Sequence, residues 1–179
     1  MYYLKSCNFS QQKLPLDPHE CWLQAIIQGR LIMEDQSTAL TAVDLLGGAQ
    51  AFSHRPTVGL DWVRLVRQGF PFVCATELAG HLGLVDSQLA NTLDVSPVTL
   101  AKRRRSGFLT MRESVKILRI ALVLERATEV FEAADAAVDW LNHRNSALGG
   151  VAPLSLLDTE FGAKEVDRIL GTIEHGVFV

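Results

Sequence analysis

Residues 86–105 read Asp86-Ser-Gln-Leu-Ala-Asn-Thr-Leu-Asp-Val-Ser-Pro-Val-Thr-Leu-Ala-Lys-Arg-Arg-Arg105, two short helical patterns with a brief turn between them. The first starts at Asp86 or Ser87 and runs to Asp94. The second takes Ser96 as N-cap and Pro97 at the first helical position, and ends at Gly107. A turn of about three residues crosses two helices at a steep angle, which is the geometry of a helix-turn-helix. Leu89, Leu93, Val95 and Leu100 fall where such a pair buries apolar groups, and Ala90 falls where crossing helices need a small side chain. Asp94 holds the turn position that usually takes glycine; aspartate tolerates a left-handed backbone better than most residues, so the turn survives. Arg103 stands at a place commonly apolar. On this register the second helix exposes Val98, Thr99, Ala101, Lys102 and Arg105, a face suited to the DNA major groove with cationic ends for phosphates or guanine edges. The competing reading is a solvated basic run that complements a helix C-terminus.

Working outward, helical signals continue on both sides. Thr110-Met-Arg-Glu113 is a capping box, and the helix it opens can run to about Val130 through Val115, Leu118, Leu122 and Glu125; its length makes it the spine. A further helix near Glu132–Leu141 ends at Asn142-His-Arg-Asn145. The stretch 147–153 reads as a loop into a helical turn at Pro153, and Val166, Ile169, Leu170 and Ile173 recur at i, i+3, i+4 and i+7 in a last helix over 163–173. Upstream, Cys74–Leu82 and the stretch between Thr57 and Gly69, with Leu60, Trp62, Val63, Leu65 and Val66, are helical. A helix around Leu40–Leu46 stops at Gly47-Gly48, and 49–57 reads as a loop. Asp17-Pro18-His19-Glu20 starts the first helix, through Trp22, Leu23, Ile26, Ile27 and Leu31. No stretch shows strand alternation over five or more residues, so the fold class is all-α.

The 179 residues are 48% hydrophobic and 21% charged, with mean hydropathy +0.16, which excludes a disordered chain, a collagen or a disulfide scaffold. Cys7, Cys21 and Cys74 form no C-x-x-C pair and read as buried or incidental thiols. No apolar run is long enough for a membrane span and the N-terminus lacks a secretory pattern, so a cytoplasmic protein without a membrane partner is expected. The formal charge of −3 is unevenly placed. Residues 1–95 carry 6 Lys/Arg against 9 Asp/Glu, residues 96–119 carry 7 against 1, and residues 120–179 carry 4 against 10. One basic segment is therefore followed by an acidic C-terminal third.

Enzyme readings fare poorly, and neither a catalytic site, a metal nor a cofactor is expected. Ser10-Gln-Gln-Lys13 matches S-x-x-K without its companion motifs, and His19-Glu-Cys21 has no downstream P-C-x-x-C. His54, His81, His143 and His175 show no ligand spacing, and neither Gly47-Gly48 nor Gly149-Gly150 leads into the lysine and helix start of a phosphate loop.

The C-terminal stretch carries a more detailed pattern: Trp140-Leu141, Asn145-Ser-Ala-Leu-Gly-Gly150, Pro153-Leu-Ser-Leu-Leu-Asp-Thr-Glu160, Gly162, Glu165-Val166 and Ile173-Glu-His-Gly-Val-Phe178. It resembles the toxin-binding domain of the Xre/MbcA/ParS antitoxins. Upstream, Leu46-Gly-Gly48, the helix-turn-helix, Thr99-Leu100 with Arg103-Arg104, and the Leu109–Leu124 helix are arranged as in Xre-type antitoxins of RES-domain toxin systems. Residues 1 to about 35 are not covered. Periodicity gives a helical extension over 1–56, and the resemblance implies an antitoxin with an Xre-like helix-turn-helix domain over 57–130 and a small helical toxin-binding domain over 131–179. It implies a cognate RES-domain toxin that consumes NAD, an active site blocked by the antitoxin, and repression of its own operon at operator DNA.

The residues expected at DNA are Ser96, Val98, Thr99, Lys102, Arg103 and Arg105; those expected at the toxin are Leu148, Glu174, His175, Gly176, Val177, Phe178 and Val179. An acidic module with an apolar ending suits a basic cleft that holds a dinucleotide. The leucines and glycines of the C-terminal pattern also have a plain structural reading, as internal packing and turn formation. A homodimer is expected, through the helices before residue 74 or the 110–130 spine, because Trp22, Ile26, Ile27, Leu31 and Trp62 exceed the needs of one small core. The alternatives are a stand-alone helix-turn-helix regulator without a toxin, and an interaction module whose helix-turn-helix has decayed at Asp94 and Arg103.

Overall fold

A computed structural model of the chain describes residues 41–57 and 59–176. The expected helix through Trp22 and Leu31, Cys7, Cys21, and the predicted toxin residues Val177, Phe178 and Val179 lie outside the described residues. Among those described, nine α-helices follow one another: α1 Ala42–Leu45, α2 Gly48–Ala51, α3 Gly59–Gln68, α4 Phe72–Leu82, α5 Asp86–Leu93, α6 Pro97–Ser106, α7 Met111–Phe131, α8 Ala134–Asn142 and α9 Glu160–Glu174. Two 3₁₀ turns, Ser146–Leu148 and Pro153–Leu156, link α8 to α9. Among the described residues there is no strand; Pro71 with Phe108 and Asn145 with Val151 form isolated bridges. The fold is all-α. No described helix is long and apolar enough to cross a membrane.

The 21-residue α7 is the spine, packed by α1, α3, α4, α5, α8 and α9. Its start is fixed by a capping box: the Thr110 hydroxyl accepts from Glu113 N, while the Glu113 carboxylate accepts from Thr110 N at 2.7 Å. Ile117, Ile120 and Leu124 on its inner face are fully buried with Phe70, Leu45, Leu46 and Leu78 on one side and Leu141, Leu157 and Leu170 on the other. A single apolar cluster thus runs from Ala42 to Leu170, across positions 56/57 and 130/131. The buried polar side chains of the described residues are few and satisfied. Ser114 Oγ accepts from Phe70 N and donates to Thr110 O, both at 2.8 Å, and Thr128 donates to Leu124 O. Cys74 is buried in the same core, which pushes its thiol up to about 12.

Two stretches differ from expectation. The expected loop over 49–57 begins instead with α2: Gly47, left-handed at φ 93°, turns the chain out of α1, and Gly48 opens a new helix rather than ending the old one. The last helix starts at Glu160 rather than 163, with Thr159 as its cap, its hydroxyl accepting from Gly162 N at 3.0 Å. Phe52, Trp62 and Phe70 then tie the chain after α2 to the core, with ring centroids 5.6 to 6.2 Å apart.

Candidate functional site

The helix-turn-helix is built on α5 and α6, and the basic segment starts with α6. A three-residue turn joins them, with Asp94 left-handed at φ 57° and ψ 48°, the conformation the sequence demands of it. Leu89, Ala90, Leu93 and Leu100 are buried as the register requires, and Val95 packs against the core. Ser96 caps α6, its Oγ accepting from Thr99 N at 3.1 Å, and Pro97 follows at the first position. Val98 is 76% exposed, and Ala101, Lys102 and Arg105 are exposed beside it, with Thr99 half-buried under the cap. The cations of α6 divide sharply. Arg104 is held away from α6's outer face by a two-point bond to Asp86, at 2.7 and 3.0 Å, and by the Phe72 ring beneath its guanidinium; that hydrogen-bonded pairing lowers the Asp86 carboxyl. Arg103 Nε donates to both oxygens of Glu113, at 3.0 and 3.1 Å, on the spine. Burial pushes the Glu113 carboxyl up, but the Thr110 N–H, Arg103 and the Thr110 hydroxyl more than offset it and hold it below its ordinary value. Among the described residues Lys102 and Arg105 enter no ion pair.

The C-terminal site is set by close backbone packing. Asn145 N donates to Val151 O at 3.0 Å, Gly150 N donates to Asn145 O at 2.9 Å, and Asn145 Oδ1 accepts from Ala147 N, so the Asn145–Val151 loop closes on itself. Leu148 is half-buried against the core from the first 3₁₀ turn. α9 crosses the second 3₁₀ turn at Gly162, where a Cβ would lie 1.9 Å from Leu156 O. Arg119 of α7 reaches across to donate to Leu157 O and Asp158 O at 3.0 and 3.1 Å, fixing the approach to α9. At the other end of α9 the Glu174 carboxylate receives both terminal nitrogens of Arg126, one at 3.2 Å, and that pairing lowers its pKa. His175 and Gly176 follow, exposed, with Gly176 left-handed at φ 64°.

The model of the family described as "Antitoxin Xre/MbcA/ParS C-terminal toxin-binding domain" matches residues 126–176. The curated relatives named antitoxin Xre include one from Photorhabdus laumondii, 40% identical over 72 residues, a match covering 40% of this chain and about half, 49%, of that relative. Antitoxin Xre of Yersinia enterocolitica is 30% identical over 126 residues, 69% of this chain and 83% of that one. This chain belongs to the Xre/MbcA/ParS antitoxin family. A more distant relative, from Sphingobium sp., is named Prs ADP-ribosylating antitoxin and is 27% identical over 132 residues, 66% of this chain and 81% of that one.

The residues expected at DNA and at the toxin fall into separate groups in the structure. Val98, Lys102 and Arg105 stand exposed on the outer side of α6, with Ser96 at its cap and Thr99 half-buried beneath that cap, whereas Arg103 turns back to the spine, filling its commonly apolar position as half of an ion pair. Glu174, His175 and Gly176 share the end of α9, and Leu148 belongs to the neighbouring loop. Sequence reasoning misses Arg119 and Arg126. Both lie on the spine; Arg119 reaches 38 and 39 residues along the chain and Arg126, besides its local pair with Glu129, reaches 48 to Glu174, so no local spacing marks these long-range contacts.

Proposed function

We propose that this antitoxin binds and inhibits a RES-domain, NAD-consuming toxin through its C-terminal surface and represses its own operon by binding DNA through α5 and α6. The observation that carries the reading is the division of labour along one spine. A basic helix, two of whose cations enter no ion pair among the described residues, comes first, and the matched toxin-binding region, with an exposed α9 ending, follows it. On this reading Val98, Thr99, Lys102 and Arg105 face the operator, Ser96 caps the helix that presents them, and Arg103 anchors that helix through Glu113. Residues 57–130 are then the DNA-binding portion and 131–179 the toxin-binding portion, working from a shared core, with 1–56 as the extension. Leu148, Glu174, His175 and Gly176, followed in the chain by Val177, Phe178 and Val179, form the toxin contact, with Arg126 holding Glu174 in position. The protein acts in the cytoplasm as a homodimer, because one helix-turn-helix makes too few base contacts for useful affinity.

Co-expression tests the toxin half. In cells induced for a RES-type toxin taken from beside this gene, the antitoxin is expected to restore growth and the cellular NAD level. A neighbouring toxin that arrests growth without lowering NAD contradicts the RES assignment. A chain that shifts the operator while leaving growth arrested supports the stand-alone regulator instead.

A further inference from the structure

The turn between α5 and α6 is closed by a side chain that neither helix carries. Two backbone bonds end α5 at its left-handed residue Asp94: Val95 N donates to Ala90 O at 2.9 Å and Asp94 N to Asn91 O at 3.0 Å. Neither reaches the carbonyl of Leu93, and the residue four positions on is Pro97, which has no N–H to return to it. Lys116 of the spine, 23 residues away, supplies the donor. Its Nζ donates to Leu93 O at 3.3 Å and lies 3.9 Å from the Asp94 carboxylate. A cation at this place also meets the negative end of the α5 dipole. The Lys116 side chain is only 19% exposed, so its ammonium is turned to the turn, whereas Lys102 and Arg105 of α6 stand exposed.

We propose that Lys116 is a positioning residue for sequence recognition: it holds the entry to α6 so that this helix meets bases in one register, and it touches no DNA itself. The inference rests on the DNA-binding reading above. Lys116 follows Glu113 by three residues and so lies on the same side of α7, about one turn along. The spine therefore grips the helix-turn-helix at two points. Glu113 takes Arg103 in the last turn of α6, and Lys116 takes the turn that leads into its first. Two points fix the direction of α6; with one alone the helix can pivot about it. Contacts to base edges need their donors closely placed, whereas phosphate contacts follow charge and carry no sequence information. Releasing the Lys116 end should therefore cost discrimination between sequences and leave affinity for DNA as such in place.

The test titrates the full chain against a duplex of the operon's own promoter and a shuffled duplex of equal length, at several salt concentrations, for wild type, Lys116→Met and Lys116→Arg. Methionine keeps the apolar stem without the donor; arginine keeps a donor. Unfolding midpoints verify folding, and hydrogen exchange at the Asp94 and Val95 amides follows the turn. In Lys116→Met, affinity for the promoter is expected to fall about tenfold, with affinity for the shuffled duplex and the slope of log affinity against log salt unchanged and the two amides exchanging faster. Lys116→Arg regains most of the promoter affinity. A wild type that binds both duplexes alike overturns the DNA-binding reading, and this proposal with it. Where wild type prefers the promoter, an unchanged preference in Lys116→Met overturns the positioning role alone. So does an equal loss on both duplexes with a salt slope lower by about 0.9, the mark of a phosphate contact. A folded Lys116→Arg no better than Lys116→Met overturns the donor as the cause. Wild-type Asp94 and Val95 amides that exchange as fast as unprotected ones overturn the proposal without any variant.

Discussion

Gly162 shows how a single residue fixes the toxin-binding end. An added methyl there meets the Leu156 carbonyl oxygen at 1.9 Å, and the obstruction is backbone on both sides. Gly162→Ala is therefore expected to lose about 1 to 3 kcal/mol of stability, the range for forced overpacking, seen as a lower urea midpoint at unchanged slope; an unaltered midpoint contradicts the close crossing. The sequence marks Gly162 as part of a pattern, but the carbonyl it admits becomes visible only when the helix lies over the turn. Arg103 is the complementary case. Its departure from an apolar position is legible, but its partner, Glu113, sits on the next helix, and the pairing depends on how the two helices cross. With Glu113 buried, Arg103→Met removes its charge partner and leaves it only the Thr110 N–H, which should cost about 1.5 to 3 kcal/mol, and much of that loss returns when Glu113→Leu is added. The same pair sets a pH dependence. The folded Glu113 pKa lies below its ordinary 4.5, so its contribution is present above that value and is lost as pH falls through the folded pKa. Wild type is expected to lose stability on that acid limb more steeply than the Arg103→Met, Glu113→Leu double variant, as acid titration of unfolding checks.

At the scale of elements, helices with a cap and a buried stripe are legible in the sequence almost to the residue. α6 begins after Ser96 and ends before Gly107 as expected, and α7 runs from the Thr110 box to one residue beyond Val130. The two departures share one cause, that glycine reads as a stop. Gly47-Gly48 reverses the chain and starts α2, and Gly162 lies inside α9, whose Thr159 cap lacks the glutamate at the third position that would have announced it. For α6 the structure sorts four consecutive cations into two kinds, a distinction composition does not contain. Lys102→Ala with Arg105→Ala should weaken operator binding and lower the slope of log affinity against log salt by about 0.9 for each phosphate no longer neutralised. Arg104→Ala, which breaks an exposed pair with Asp86, should change that slope far less. Titrations of the native operator at several salt concentrations distinguish them, and equal slopes for the two variants contradict the assignment of faces.

At the scale of the whole molecule, the spine ties the α6 helix and the end of α9 to one element. Arg103 reaches it through Glu113, α9 through Arg119 and Arg126, and the core through Ile117, Ile120 and Leu124. The all-α class and the antitoxin resemblance are legible from capping, periodicity and the C-terminal pattern. The shared core is not, because long-range packing between α1, α4, α7 and α9 leaves no local trace in the chain. DNA binding and toxin neutralisation are assigned to different surfaces of this framework, so they should be separable by a change at one end. Deleting Gly176–Val179 makes the most direct comparison, with growth measured during co-induction of the cognate toxin and operator binding measured on the same purified protein. The truncated chain is expected to bind the operator as the full chain does, with the same unfolding midpoint, and to leave toxin-expressing cells arrested. Truncated antitoxin that protects those cells as well as the full chain would contradict neutralisation through this ending.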